Sequence, residues 1–443
     1  MKFPAIKGFN EEAFNKYLKN TGLLMIGRVG SMGIKMVSTI FVANHLFKHN
    51  FGILTNSFNY VFLFAAIAGL GLDSFVVKEL HQFPDKRDHI LGTAFKMKLL
   101  AGILCVPLIC LAWQIHPLND IPFLFIFILS FTGVFQSFTI IDSYFQSEVQ
   151  SKYIAQVQII GNIVSAGIKL GLIFIWDANL IAFIIALLGD VILLSLGYIL
   201  VYARKGRKLS LWKYDSALAK KLLHFSWPLI ISGLMVSVYM KLDTLMINEI
   251  LGDDGPAQAG AYATVVMFSE ALNFVPVAIV SSLFPAILNA KRDDPGRYLK
   301  RLQNLFDIMV WLSLSFSILI SLFAPYIYFL FKPAYQYAAN TLVVHVWGSI
   351  FLFLGVASSQ MLIAEGWSKL TFIRTGTGAI VNIILNLLLI PKYGILGASI
   401  GTVAAYFVSA FFIILIPKTR IHGIMMFKSL FLITLFQKFK KIE

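Results

Sequence analysis

The chain has 443 residues, of which 58% are hydrophobic and only 13% charged, with a mean hydropathy of +0.79. That balance leaves too few charges to coat a soluble globule, so a pair of soluble domains is excluded and an all-α polytopic membrane protein is expected. The net charge of +15 would suit a nucleic-acid partner only if the cations shared one soluble face, so their positions decide what they mean.

Taking about 20 apolar residues per crossing, the sequence predicts twelve transmembrane helices, over roughly 18–45, 51–77, 91–113, 121–146, 153–176, 180–203, 223–251, 259–288, 304–331, 341–365, 369–390 and 395–417. The first twenty residues are polar and basic, and the apolar run after them continues at spanning length without a small-residue cleavage site. The N-terminus is therefore expected to stay with the protein. Twenty-eight of the 37 lysines and arginines fall in alternate connections or the termini, whereas the opposite connections hold only Lys48, Lys332 and Lys392. By the positive-inside rule both termini are expected to be cytoplasmic. The surplus charge is a topology signal, and no nucleic-acid partner is expected. Trp113, Trp176, Trp227 and Trp367 near span ends fit an aromatic belt.

The most basic connection, RKGRKLSLWKYDSALAKK, separates two sets of six helices. The expected organisation is an N-terminal lobe over 1–203, a basic cytoplasmic linker over 204–222, a C-terminal lobe over 223–418 and a basic amphipathic tail over 419–443, whose apolar run is too short to span. Internal similarity supports a duplication. Ser31, Lys35 and Ser38 superpose on Ser237, Lys241 and Thr244 at one constant offset, and GNIVSAGIKLGLI (161–173) matches GAIVNIILNLLLI (378–390), pairing Ser165 with Asn382 and Lys169 with Asn386. Six helices return the chain to its starting side. The lobes are thus expected to be related by a pseudo-two-fold axis along the membrane normal, with a cleft between them as the substrate path.

Charges inside these helices are costly and mark the candidate site. Arg28, Ser31, Lys35 and Ser38 form an i, i+3, i+7, i+10 stripe on the first helix. Lys35 lies ~25 Å from a helix start near residue 18, too deep to snorkel easily to the inner surface. The seventh helix repeats the stripe with Ser237, Lys241, Thr244 and Asn248, and the fifth offers Gln158, Asn162, Ser165 and Lys169. Asp243 follows Lys241 by two residues and so points away from it. Glu270 is a partner for Lys241 or an ion-coupling carboxylate. Buried Lys–Asp pairs also hold membrane bundles together without transporting anything. The Arg28 and Lys35 pair favours a ligand, because its stripe carries no carboxylate. Asp73, Asp142, Lys96 and Lys98 are expected to snorkel or to pair with the basic loops. His81, His89 and His224 have no metal spacing, and Cys105 and Cys110 are read as small core residues. No metal, cofactor or catalytic motif is expected.

Three segments carry a family resemblance: FGILTNSFNYVFLFAAIAGLGLDSFVVKEL (51–80), YMKLDTLMINEILGDDGPAQAGAYATVVMFSEALNFVPVAIVSSLFPAI (239–287) and KLTFIRTGTGAIVNIILNLLLIPKYGILGASIGTVAAYF (369–407). Their order and spacing resemble the polysaccharide transport family of the multidrug/oligosaccharidyl-lipid/polysaccharide flippase superfamily, which includes the Wzx-like O-antigen flippases. The resemblance covers essentially the whole chain. One departure is A-N-H-L-F-K at 43–48, where family members usually read A-R-x-L-G-P.

The resemblance implies two six-helix lobes that move undecaprenyl-pyrophosphate-linked oligosaccharide units across the bacterial cytoplasmic (inner) membrane by alternating access, with no enzymatic activity. The cargo would serve O-antigen, capsule or exopolysaccharide assembly. Implied partners are the lipid-linked oligosaccharide, membrane lipids and other polysaccharide-assembly proteins. Arg28, Ser31, Lys35, Lys169, Lys241, Asn248 and Arg374 are the expected substrate-binding residues, and Asp73, Asp243 and Glu270 the expected charge-pairing or ion-coupling ones. The alternative is a cation-coupled multidrug exporter on the same architecture, which would favour carboxylates and aromatics over deep cations. A membrane polymerase or glycosyltransferase would need a long extracytoplasmic loop, and none is present in the sequence.

Overall fold

A computed structural model describes residues 11–431 and 433, and these are almost entirely helical. The helices are α1 (Glu11–Phe62), α2 (Ala65–Gly69), α3 (Asp73–Gln82), α4 (Arg87–Ile115), α5 (Phe123–Ser130), α6 (Thr132–Phe135), α7 (Ile140–Ser147), α8 (Lys152–Phe174), α9 (Leu180–Arg204), α10 (Ser216–Ile250), α11 (Gly255–Ser269), α12 (Phe274–Asp293), α13 (Pro295–Tyr328), α14 (Ala338–Val346), α15 (Gly348–Ala364), α16 (Ser368–Phe411) and α17 (Arg420–Leu430). Helix is what a lipid-embedded chain requires, because it satisfies every backbone polar group within its own segment. Among the described residues nine helical stretches are long and apolar enough to cross a membrane, or ten if one bent pair counts as a span.

Two elements are too long for one crossing. The 52 residues of α1 would reach ~78 Å against a hydrocarbon core of about 30 Å. Phe47, at φ 56° and ψ 168°, interrupts that helix where a connection is expected between the first two spans. Gly394, at φ 55° and ψ −134°, interrupts the 44-residue α16 in the same way, three residues after Pro391. That backbone conformation is open to glycine and strained for other residues.

Other spans expected to be continuous are broken. The second is interrupted at Leu63–Phe64 and again at 70–72, the fourth at Phe131 and through the 3₁₀ turn Gln136–Thr139, the eighth at 270–273 and the tenth at Trp347. Phe64 and Glu270 are related by the offset that relates Lys35 to Lys241. Glu270 therefore caps the end of α11 at a break, rather than sitting mid-helix as the apolar pattern suggests. In the tail the structure describes α17; residues beyond 433 lie outside the described part.

The chain divides into two compact units, Met1–Ser237 and Val238–Glu443. The division falls inside α10. In the first unit a core of Leu72, Val76, Leu91, Ile140, Ile141, Phe145 and Tyr202 joins the ends of α3, α4, α7 and α9. In the second, Leu302, Phe306, Met309, Phe353, Leu354, Met361 and Met426 gather α13, α15 and α17.

Candidate functional site

Each unit contains one polar cluster built from transmembrane side chains. In the first unit, α8 presents Asn162, Ser165 and Lys169 at i, i+3 and i+7, a spacing that puts them on one helix face. The amide of Asn162 donates to the hydroxyl of Ser31 on α1. One turn along, the Ser165 hydroxyl donates to Asp190 Oδ1, and Lys169 Nζ lies 2.6 Å from Asp190 Oδ2. Side-chain exposures of 13% for Lys169 and 20% for Asp190 make this a half-buried ion pair. Lys35, exposed on the surface of the unit, lies within Coulombic reach of both. Two lysines therefore share one carboxylate. Arg28 lies on the same helix, but its side chain falls outside the described part of the structure.

Asp190 is the residue that the sequence reading missed. The signal was present: a lone carboxylate inside the apolar run 180–204, judged by the same cost that singled out Asp243. Attention to cationic stripes passed over it, because α9 carries no cation until Arg204.

The second unit uses α10, α11 and α16. Asp243 is 5% exposed. It accepts from Asn386 Nδ2 at 2.6 Å, from the Tyr262 hydroxyl at 3.1 Å and from the Thr402 hydroxyl. Asn382 extends the cluster, accepting from Asn386 at 3.3 Å and donating to Thr402 at 3.5 Å. The break at Gly394 turns α16 back on itself, which is how Asn386 and Thr402 of one element reach the same carboxylate. All of these donors are neutral. Asn386 Oδ1 is buried and has no hydrogen-bond partner, its amide presenting Nδ2 to Asp243 and Asn382. Among the described residues no group of three His, Cys, Asp or Glu could hold a metal ion. Lys241, two residues before Asp243, lies with it within Coulombic reach of Glu270 at the α11 break.

The remaining expected site residues lie elsewhere. Asn248 is fully buried and donates to Glu249 at 3.1 Å. Arg374, 4% exposed, donates to the carbonyls of Gly355 at 2.7 Å and Ser409 at 3.3 Å and to the Ser359 hydroxyl, tying α16 to α15. Asp73 pairs with Lys98, which is 2% exposed and also donates to the Thr139 hydroxyl at 3.2 Å. This corrects the expectation that Lys98 snorkels or pairs with a basic loop: α3, α4 and the 3₁₀ turn enclose it. Lys96 instead lies 4.7 Å from the Tyr214 ring centroid, and Asp142 accepts from Gln146 at 2.8 Å.

A family model described as "Polysaccharide biosynthesis protein" matches residues 17–291, and a second, MatE, matches 228–388. The uncharacterized membrane protein YabM of Bacillus subtilis is 28% identical over 196 residues, 43% of this chain and 36% of that protein. A protein named "Putative O-antigen transporter" of Shigella flexneri is 26% identical over 202 residues, 45% of this chain and 47% of that protein. The matched stretch thus spans less than half the length of each of these relatives. Among solved structures, an inward-facing multidrug resistance MATE family transporter of the MOP superfamily superposes with a TM-score of 0.73 at 15% identity, covering 92% of this chain and 99% of that one. The lipid II flippase MurJ in an inward closed conformation gives 0.70 at 18%, covering 93% and 92%. These likenesses establish that the chain shares the helical membrane fold of those two proteins. With a family model matching residues 17–291, well over half of its length, the chain belongs to the polysaccharide biosynthesis protein family, as a multi-pass membrane protein.

Proposed function

We propose that this protein is a flippase for lipid-linked oligosaccharides, carrying undecaprenyl-pyrophosphate-linked repeat units across the bacterial cytoplasmic membrane for surface or secreted polysaccharide assembly. Both termini would lie in the cytoplasm and transport would run by alternating access. The observation that carries this reading is the sharing of Asp190 by Lys169 and Lys35. Two ammonium groups against one carboxylate leave a positive excess on a transmembrane face of an otherwise apolar unit, which suits a diphosphate that must be neutralised away from water. Arg28, on the same stripe of α1, would add to that field, and Lys241 would be its counterpart in the second unit. The family match and the Shigella relative lean the same way. Asp243 and Glu270 are the carboxylates assigned to coupling, by binding a proton or a small cation as the lobes exchange states.

The test is direct. In cells whose surface polysaccharide depends on this gene, Arg28→Gln combined with Lys35→Gln is expected to abolish polymer display at unchanged protein level; normal display would overturn the anion site. The MatE match over 228–388 supports a second reading, export of small amphiphilic drugs coupled to a cation. That reading predicts that deleting the gene sensitises cells to cationic drugs while leaving surface polysaccharide intact.

A further inference from the structure

The connection after α9 reads as a linker, yet it is docked. The Lys213 amide donates to the Asp88 carbonyl at 3.1 Å and the Asp215 amide to the Thr93 hydroxyl at 2.9 Å, while the Trp212 ring packs on Phe95 with centroids 5.2 Å apart. Gly92 permits this approach, since a Cβ there would lie 2.6 Å from the Lys213 backbone. Docking leaves a cavity of ≈ 480 Å³ between the end of α3, the turn Pro84–Lys86, the start of α4 and the first turns of α10. That volume lies in the usual range of small-molecule sites.

The acids lining the cavity are already engaged. Both oxygens of Glu79 accept from Lys221 Nζ, at 2.8 and 3.0 Å. The Asp215 carboxylate caps α10, accepting from the amides of Ala217 and Leu218 at 2.9 and 3.1 Å. Asp88, at the edge, is held by Arg87 through two contacts of 3.0 Å. Lys86 and His89 line the same cavity and are exposed. The Lys86 ammonium stands 5.8 Å from the centroid of the Phe83 ring, which is itself 45% exposed. The cavity thus offers a cation and an imidazole beside an apolar wall of Phe83, Ile90 and Leu218.

We propose that this cavity binds the phosphate headgroup of an anionic phospholipid, with Lys86 and His89 at the phosphate and Phe83, Ile90 and Leu218 against the glycerol and first acyl carbons. Its place favours a lipid over a soluble phosphate ester. It opens where α3, α4 and α10 end or begin, at the level where spans leave the bilayer and aromatic side chains gather. The nearby Lys205, Arg207 and Lys208 would concentrate anionic lipid at that surface. The bound headgroup would join the α3–α4 turn to the start of α10. This site is separate from the Lys35 cluster, and its test does not depend on what the protein transports.

The experiment titrates the purified full chain in detergent with phosphatidylglycerol and, in parallel, phosphatidylcholine, counting retained lipid by native mass spectrometry. One phosphatidylglycerol per chain is expected to be held in preference to phosphatidylcholine. Lys86→Gln is expected to weaken it about fivefold, with rescue by Lys86→Arg, and Lys392→Gln, which does not line the cavity, to leave it unchanged. Equal retention by the wild type and the Lys86→Gln/His89→Gln variant would overturn the proposal. Displacement of the lipid by equimolar glycerol phosphate would overturn the lipid assignment in favour of a soluble ester; persistence of the lipid against a large excess supports it.

Discussion

In the N-terminal unit Asp190 meets an ammonium group at 2.6 Å and a hydroxyl; in the C-terminal unit Asp243 meets two hydroxyls and an amide. The duplication makes the contrast informative. Ser165 and Lys169 correspond to Asn382 and Asn386, so the position that supplies a cation to one carboxylate supplies an amide to the other. Lys169 pairs with Asp190 directly. The cluster around Asp243 offers it neutral hydroxyl and amide donors in place of an ammonium group. In our reading the two copies have diverged in sign, the first toward an anionic cargo and the second toward a coupling cation.

The strongest way to break that comparison is to remove the acid from the first cluster. Asp190→Ala leaves Lys169 and Lys35 without their shared carboxylate, and the loss of one partner from this half-buried pair is expected to cost about 3 kcal/mol, the low end for buried pairs. A large fall in the unfolding midpoint in detergent is expected, together with loss of polymer display. The double variant Asp190→Leu/Lys169→Met is expected to recover most of the stability but not the display. A mild effect of Asp190→Ala alone would mean that the pair carries little of the fold.

Asp243→Asn applies the same question to the second cluster. The amide keeps the shape and one acceptor oxygen for Tyr262 and Thr402, and its NH2 can donate to Asn386 once that amide turns to present its unpartnered Oδ1, so stability is expected to change by only about 1 kcal/mol. Display is expected to disappear, because the charge that would answer a coupling ion has gone. Full display by a stable Asp243→Asn protein would show that the carboxylate is structural, and the contrast between the lobes would lose its functional meaning.

These clusters also show what the sequence makes legible. Membrane class could be read because hydropathy and charge asymmetry are summed over many residues. The Lys35–Lys241 correspondence survives as a constant offset. Breaks at 63–64 and Trp347 were invisible, since their side chains are as apolar as the helices around them and partner helices re-satisfy the freed backbone groups, whereas at 270–273 Glu270 and Asn273 read as a polar face of one helix and not as its end. Partners far apart in sequence were missed for a related reason: Asp73 and Lys98, or Lys169 and Asp190, are joined by tertiary packing that periodicity within one helix does not encode.

Arg374 tests whether a deep cation outside both clusters is a ligand or a fastening. Its guanidinium forks between two carbonyls and a hydroxyl, a geometry that an ammonium group cannot reproduce. Arg374→Lys is expected to lower stability by about 1–2 kcal/mol, with display falling only as far as protein level falls. Display lost at normal protein level would return Arg374 to the substrate path.

The smallest effect sharpens the first cluster from its edge. Ser31 receives the Asn162 amide one turn before Lys35 and so sets how α1 lies against α8. Interhelical hydrogen bonds within a membrane average about 0.6 kcal/mol, so Ser31→Ala is expected to shift the unfolding midpoint only slightly. If the contact serves to aim Lys35 toward Asp190, the variant should slow export while preserving the fold, and the polymer appearing per unit time should fall more than the amount of protein. If it serves packing alone, rate and protein level should fall together. The comparison with Ser237→Ala, its counterpart on α10, separates these outcomes, because a residue retained merely by descent from the duplication should give the same small loss in both copies.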